Sequence, residues 1–161
     1  MEKTLKGMIL VTGGAGYIGS HTLHYLLDHG YETKNLIVFD NLIYGHREYV
    51  PKGIKIIKGD LLNKAEIDQV FQENKIEAVI HFGAYAFVGE SMINPSKYFE
   101  NNISGGQNLL DSMVKHGCLK IIFSSSCGTY GKPKKNPITE KNPQKPINVY
   151  GESKLIFETP P

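Results

Sequence analysis

The stretch "VTGGAGYIGSH", Val11 to His21, decides the fold. It joins an apolar run of strand length, "GMILVT" (Gly7 to Thr12), to a segment of helical period. In that segment Ile18, Leu23, Leu26 and Leu27 share one face, and Gly30 supplies the stop. Gly13, Gly14, Gly16 and Gly19 fill the junction. They satisfy G-x-G-x-x-G through Gly14, Gly16 and Gly19, and a wider spacing through Gly13, Gly16 and Gly19. Glycine here permits a tight turn and lets the backbone approach a pyrophosphate, which free N–H groups and the positive end of a helix dipole can hold. Alone the pattern also describes a turn that merely connects two elements. The next apolar run, "NLIVFD" (Asn35 to Asp40), decides between them by ending in a carboxylate 21 residues after Gly19. An acid there accepts hydrogen bonds from an adenosine ribose and repels a 2′-phosphate, so NAD is expected rather than NADP.

Outward from this unit, strand-length apolar runs alternate with helical stretches. "IKIIKGD" (Ile54 to Asp60), "AVIHF" (Ala78 to Phe82) and "KIIFSS" (Lys120 to Ser125) read as the third to fifth strands. Asn63 with Glu66 three residues on marks a helix start, and one long helix is expected from Asn94-Pro95 to Gly117. Lys132 to Pro146 reads as a loop, followed by a helix starting near Asn148. This alternation predicts the α/β class: a Rossmann-type, doubly wound parallel sheet, incomplete at its C-terminal end, in a single NAD-binding domain over residues 1–161.

Composition narrows the function classes. Eighteen Lys+Arg against 16 Asp+Glu give a formal charge of +2, too small a bias to suggest nucleic acid, and Lys132, Lys134 and Lys135 read as a solvated loop. The two cysteines, Cys118 and Cys127, have neither CxxC nor metal spacing, which suits free thiols in the cytoplasm. The apolar part of "MEKTLKGMILVTGG" is too short for a signal peptide or membrane span. Six scattered histidines form no metal pattern, and His81, in an apolar run, reads as a core residue. No metal is expected.

"YGESK" puts Tyr150 and Lys154 one helical turn apart, after a strand ending in Ser124-Ser125-Ser126. A solvated helix face would explain the pair equally well by itself. Beside a dinucleotide, however, an ammonium that favours phenolate suits a tyrosine to exchange a proton with a sugar hydroxyl, and a serine can bridge the same oxygen.

With "FDNL", "KGDLLN", "VIHFGAYAFVGES", "NPSKYFENN" and "FSSSCGTYG", these segments resemble the extended short-chain dehydrogenase/reductase family over nearly the whole chain. "GES" followed by "P", "Y" and "NN" points within it to the UDP-glucose 4-epimerase branch. The resemblance implies Tyr150 as catalytic base and acid, Lys154 as its electrostatic partner and a ligand of the nicotinamide ribose, and Ser126 beside the sugar's 4-position. It implies that Gly13, Gly16, Tyr17, Ile18 and Gly19 hold the pyrophosphate. Asp40 and Asn41 would take the adenosine ribose, Asp60 and Leu61 the adenine, and Phe82, Gly83, Ala84 and Asn101 the rest of the cofactor groove. The implied reaction oxidises the 4-hydroxyl of a UDP-sugar and returns hydride to the opposite face, in a homodimer. Some members carry lysine where this chain has Ala86. A 4,6-dehydratase would have an Asp-Glu pair where Cys127 and Gly128 stand, and a non-catalytic dinucleotide-binding module would not need Ser126, Tyr150 and Lys154 together.

Members of the family are about twice this length, so the substrate-binding portion is expected to be missing and turnover by these 161 residues alone to be slow or nil. Pro160 biases Thr159 against helix, which predicts an end by Glu158 and leaves Leu155, Ile156 and Phe157 short of apolar cover.

Overall fold

A computed structural model describes residues 7–158, so the readings placed on Thr159, Pro160 and the first six residues lie outside the described part. Five parallel strands form one sheet in the order β3-β2-β1-β4-β5. These are β1 (Met8–Thr12), β2 (Leu36–Asp40), β3 (Lys55–Lys58), β4 (Ile76–His81) and β5 (Ile121–Phe123). The order reverses between β1 and β4. That is the switch point at which open α/β sheets bind ligands beyond their carboxyl ends.

Both faces of the sheet are covered, as parallel sheets require. Ile9 and Val11 of β1 turn toward one layer with Leu36, Val38 and Leu23 of helix α1 (Tyr17–Asp28). Leu10 turns to the opposite layer with Ile37, Phe39, Ile67 and Val70 of α2 (Lys64–Glu73), and Leu109 and Met113 of α5 (Gly106–Lys115). The alternation along β1 is the two-residue period of a strand, and it sends each neighbour into a different core.

Three sequence expectations change. Ile18 has the right helical phase for the core but is 57% exposed, and of the expected face Leu23 is buried while Leu26 and Leu27 pack partly buried against the same layer. The expected long helix is interrupted: α4 (Pro95–Phe99) runs into a π-helical turn, Glu100–Gly105, before α5 resumes. Asn63 caps α2 by position, but its side-chain oxygen takes no backbone N–H; Glu66 instead accepts from the Asp60 N–H and the Asn63 side-chain amide. Helix α3 (Val88–Ile93) was not anticipated, and α6 spans Val149–Glu158.

The chain forms two compact units. The first holds the residues through Gly83 together with Asn108–Ser124, and so the whole sheet; the second holds Ala84–Gln107 and the residues from Ser125 onward.

Candidate functional site

In the sheet unit, the four glycines of the β1–α1 turn do different things. Gly13 sits at φ +68°, and a Cβ there would come within 2.7 Å of the Gly83 nitrogen and the Phe82 carbonyl carbon. At Gly14 a Cβ would meet Val38 Cγ2 at 2.7 Å, and at Gly19 it would meet the Gly13 oxygen at 2.3 Å. These three are demanded by the protein's own packing. Gly16 is not: its φ of −79° and ψ of 176° suit any residue, and the nearest atom to an added Cβ is the Gly13 oxygen at 3.3 Å. That one contact is tight, but no other atom lies within 4 Å, so away from the Gly13 oxygen glycine at 16 leaves space beside the helix start. Gly16 is also the N-cap of α1, whose end carries neither a side-chain cap nor an acidic residue in its first turn. An uncapped helix start over open space fits an anion.

Asp40, the last residue of β2, is buried. Its Oδ2 accepts the Ala15 N–H at 3.0 Å and its Oδ1 the Leu42 N–H at 2.8 Å. The Ala15 carbonyl in turn accepts the His46 N–H at 2.9 Å. Asp40 thus braces the glycine turn and holds Leu42 at φ +60°, a conformation costly for a non-glycine residue. Sequence reading assigned Asp40 to a ribose and missed this second task. An ionised carboxylate accepts about four hydrogen bonds, so two remain for a ligand. Asn41 and Asp60 each close a short turn, accepting the N–H of Ile43 at 3.1 Å and of Leu62 at 2.9 Å. Leu61 is buried, and its carbonyl accepts from Asn108 Nδ2 at 2.9 Å. Phe82 and Gly83 follow β4. The Phe82 N–H donates to the Thr12 carbonyl at 3.0 Å, and His81 shares a 2.6 Å hydrogen bond with the Thr12 hydroxyl in the core.

The second unit holds Ala84, Asn101, Ser126, Tyr150 and Lys154. Ser126 caps the 3-10 turn Cys127–Tyr130, its hydroxyl oxygen accepting the Gly128 N–H at 3.0 Å. That turn packs backbone to backbone on α6: a Cβ on Gly151 would meet the Gly128 oxygen at 2.6 Å. Lys154 is 4% exposed, with Nζ 5.9 Å from the centroid of the Tyr150 ring. Burial pulls its ammonium down to a pKa of about 8, so at neutral pH it remains mostly charged.

Asn101 and Asn102 lie in the π-helical turn, a distortion often found at functional sites. Asn102 ties the unit together. Its Oδ1 accepts the Tyr85 N–H at 2.9 Å, and its Nδ2 donates to the Tyr85 carbonyl and to Ser153 Oγ, both at 3.0 Å. Asn101 donates to the same Oδ1 at 2.9 Å. Sequence reading missed Asn102 and also Asn148, whose Oδ1 accepts the Gly151 N–H at 2.7 Å. An asparagine directly before a helix is a readable cap signal for Asn148, but no spacing rule marks Asn102.

Residues 9–159 match the NAD dependent epimerase/dehydratase family. The chain belongs to that family. It is 49% identical over 150 residues to the UDP-glucose 4-epimerase of Lacticaseibacillus casei, a match covering 93% of this chain and 44% of that one. The structure of the Brucella ovis UDP-glucose 4-epimerase in complex with NAD superposes with a TM-score of 0.88 at 45% identity, covering 94% of this chain and 46% of that one. The Bifidobacterium longum enzyme in complex with NAD+ and UDP gives 0.87 at 42% identity, over 94% and 47%. The chain spans less than half the length of the curated relatives it matches. Among the described residues no helix is long and apolar enough to cross a membrane, and no cluster of His, Cys, Asp and Glu could hold a metal.

Proposed function

We propose that this chain is the cofactor-binding and proton-transfer part of a UDP-glucose 4-epimerase. The observation that carries the reading is the burial of Lys154 one helical turn from Tyr150. A solvated helix face, the plain alternative, would leave that ammonium in water, whereas here it is 4% exposed and turned toward the phenol ring. Burying an ammonium is costly, and buried groups with shifted pKa values cluster at functional sites.

The residues present fit NAD. The space kept by Gly16 and the uncapped start of α1 suit its pyrophosphate, held by Gly13, Gly16, Tyr17, Ile18 and Gly19. The spare lone pairs of Asp40, with Asn41, suit the adenosine ribose, and Asp60 and Leu61 the adenine. Phe82, Gly83, Ala84, Asn101 and Lys154 take the remainder. When bound, NAD supplies a reversible hydride acceptor at the sugar's C4. Tyr150 takes the proton of the 4-hydroxyl as it becomes a ketone and returns it when the hydroxyl re-forms on the other face. Lys154 stabilises the phenolate between those steps. The Ser126 hydroxyl, its oxygen already accepting from Gly128, still has its own proton to donate to the sugar O4. Because proton and hydride leave and return together, glucose and galactose forms interconvert without net redox change. The buried Cys118 and exposed Cys127, both free thiols, suit the cytoplasm. Phe99 and Ile156, exposed on α4 and α6, suit a homodimer of the complete enzyme.

The test is to join this chain to the C-terminal remainder of the Lacticaseibacillus casei enzyme and assay UDP-galactose epimerisation. Turnover is expected, and Tyr150→Phe should lower it by about 10²–10⁴-fold with NAD still bound. Full activity in Tyr150→Phe would overturn the mechanism.

A further inference from the structure

The segment "GES", which served above only as a mark of resemblance, has a physical task in the second unit. Helix α6 starts with backbone N–H groups that have no partner within the helix. Asn148 takes that of Gly151, while the N–H of Tyr150 itself donates to Ser91 Oγ on α3 at 3.2 Å. Ser91 is fully buried, and its own proton is committed to the Val88 carbonyl at 2.6 Å. Its oxygen can therefore act toward Tyr150 only as an acceptor. The element that bears Ser91 is fixed in turn. Glu90 accepts from Tyr98 Oη at 2.7 Å and from Lys97 Nζ at 2.6 Å, and the Phe87 N–H donates to Tyr98 Oη at 3.1 Å. Burial, and then the Glu90 carboxylate, push the Tyr98 phenol up to about 12, so it stays a donor throughout the working pH range. On the other side of Tyr150, its carbonyl accepts from Ser153 Oγ at 2.8 Å, and Ser153 is held by Asn102.

We infer that Ser91 is a positioning residue for Tyr150: its oriented hydroxyl caps the Tyr150 N–H and so fixes where α6 delivers the phenol. The inference rests on the epimerase reading for the reaction it serves, but the cap stands on geometry alone. A proton-transfer group displaced by a fraction of an ångström loses rate before it loses substrate affinity, so the expected signature lies in kcat.

Ser91→Thr and Ser91→Val have nearly the same shape and differ in the hydroxyl. In this chain, amide hydrogen exchange at Tyr150 should be about tenfold or more faster in Ser91→Val than in Ser91→Thr, as expected when a buried donor loses its acceptor, with Val11 of β1 unchanged. In the chain joined to the Lacticaseibacillus casei remainder, Ser91→Val should lower kcat for UDP-galactose about tenfold, leave KM within about twofold, and be rescued by Ser91→Thr. Should the extra methyl prevent folding, Ser91→Ala against the native residue repeats both comparisons. Equal exchange with and without the hydroxyl overturns the cap, and equal kcat overturns its part in catalysis. Absence of turnover with native Ser91 overturns the epimerase reading instead, and the exchange result still decides the cap.

Discussion

Strand β2 buries all five of its residues, Leu36 to Asp40, between apolar layers, whereas helix α6 buries Gly151, Ser153 and Lys154. The contrast extends to the two units that contain them. Among the described residues, Tyr98 is the only buried large apolar side chain of the second unit, where Ser91, Asn101, Asn102, Thr129, Ser153 and Lys154 are also buried. One region is ordered by removal of apolar surface from water, the other by hydrogen bonds that each need one partner in one place. The first mechanism tolerates substitution of one aliphatic residue for another, while the second fails when a single acceptor is lost. Binding a cofactor's phosphates needs a fixed backbone, which the sheet supplies. Moving a proton needs a few groups fixed relative to each other, which the polar network supplies.

The largest effect that would sharpen this contrast lies in the glycine turn. Gly19→Ala forces a Cβ against the Gly13 oxygen and should destabilise the fold by about 3 kcal/mol or more, measured by denaturant unfolding. Gly16→Ala, whose Cβ would meet one atom, the Gly13 oxygen at 3.3 Å, should cost about 1 kcal/mol or less yet bind NAD about tenfold more weakly. If both variants lose stability alike, Gly16 is a packing residue and the space it keeps has no ligand.

A smaller effect tests the second unit. Burial lowers the pKa of Lys154 from 10.5 to about 8, so between those values the unfolded chain binds the extra proton and the folded chain does not. Stability should therefore rise with pH across that window, by at most about 3 kcal/mol, the penalty being fully present below pH 8. Lys154→Met should lack this rise. A rise that persists in Lys154→Met would place its origin elsewhere.

Legibility in the sequence follows the same division. The sheet was readable because apolar burial leaves a period: "MILVT" and "LIVFD" announce strands, and glycines followed by Asp40 announce what lies between them. Its ends were less so. The run read from Lys120 to Ser125 is a strand only over Ile121–Phe123, and β4 begins at Ile76 rather than Ala78. Strand ends depend on where pairing partners stop. In the second unit the one-turn spacing marked Tyr150 and Lys154, a pattern that a solvated helix face shares, and the choice of Ser126 among three serines came only from the resemblance. The residues that hold them, Ser91, Asn102 and Ser153, follow no period, because a hydrogen bond between segments about 50 residues apart leaves no trace in either one. The π-helical turn was hidden for a related reason, since "ENNISG" has an ordinary helical pattern and its distortion becomes visible only in the backbone.

Asp40 joins the two halves of the account, since the carboxylate that braces the glycine turn is also the one proposed to choose the cofactor. Calorimetric titration of the chain with NAD and with NADP, in the native protein and in Asp40→Ala, tests this most directly. The native chain should bind NAD with NADP much weaker, and Asp40→Ala should narrow the gap by lowering NAD affinity while removing the repulsion of a 2′-phosphate. Equal affinity for the two dinucleotides in the native chain, or no NAD binding by the folded chain, would contradict the assignment of the glycine turn and Asp40 as an NAD site.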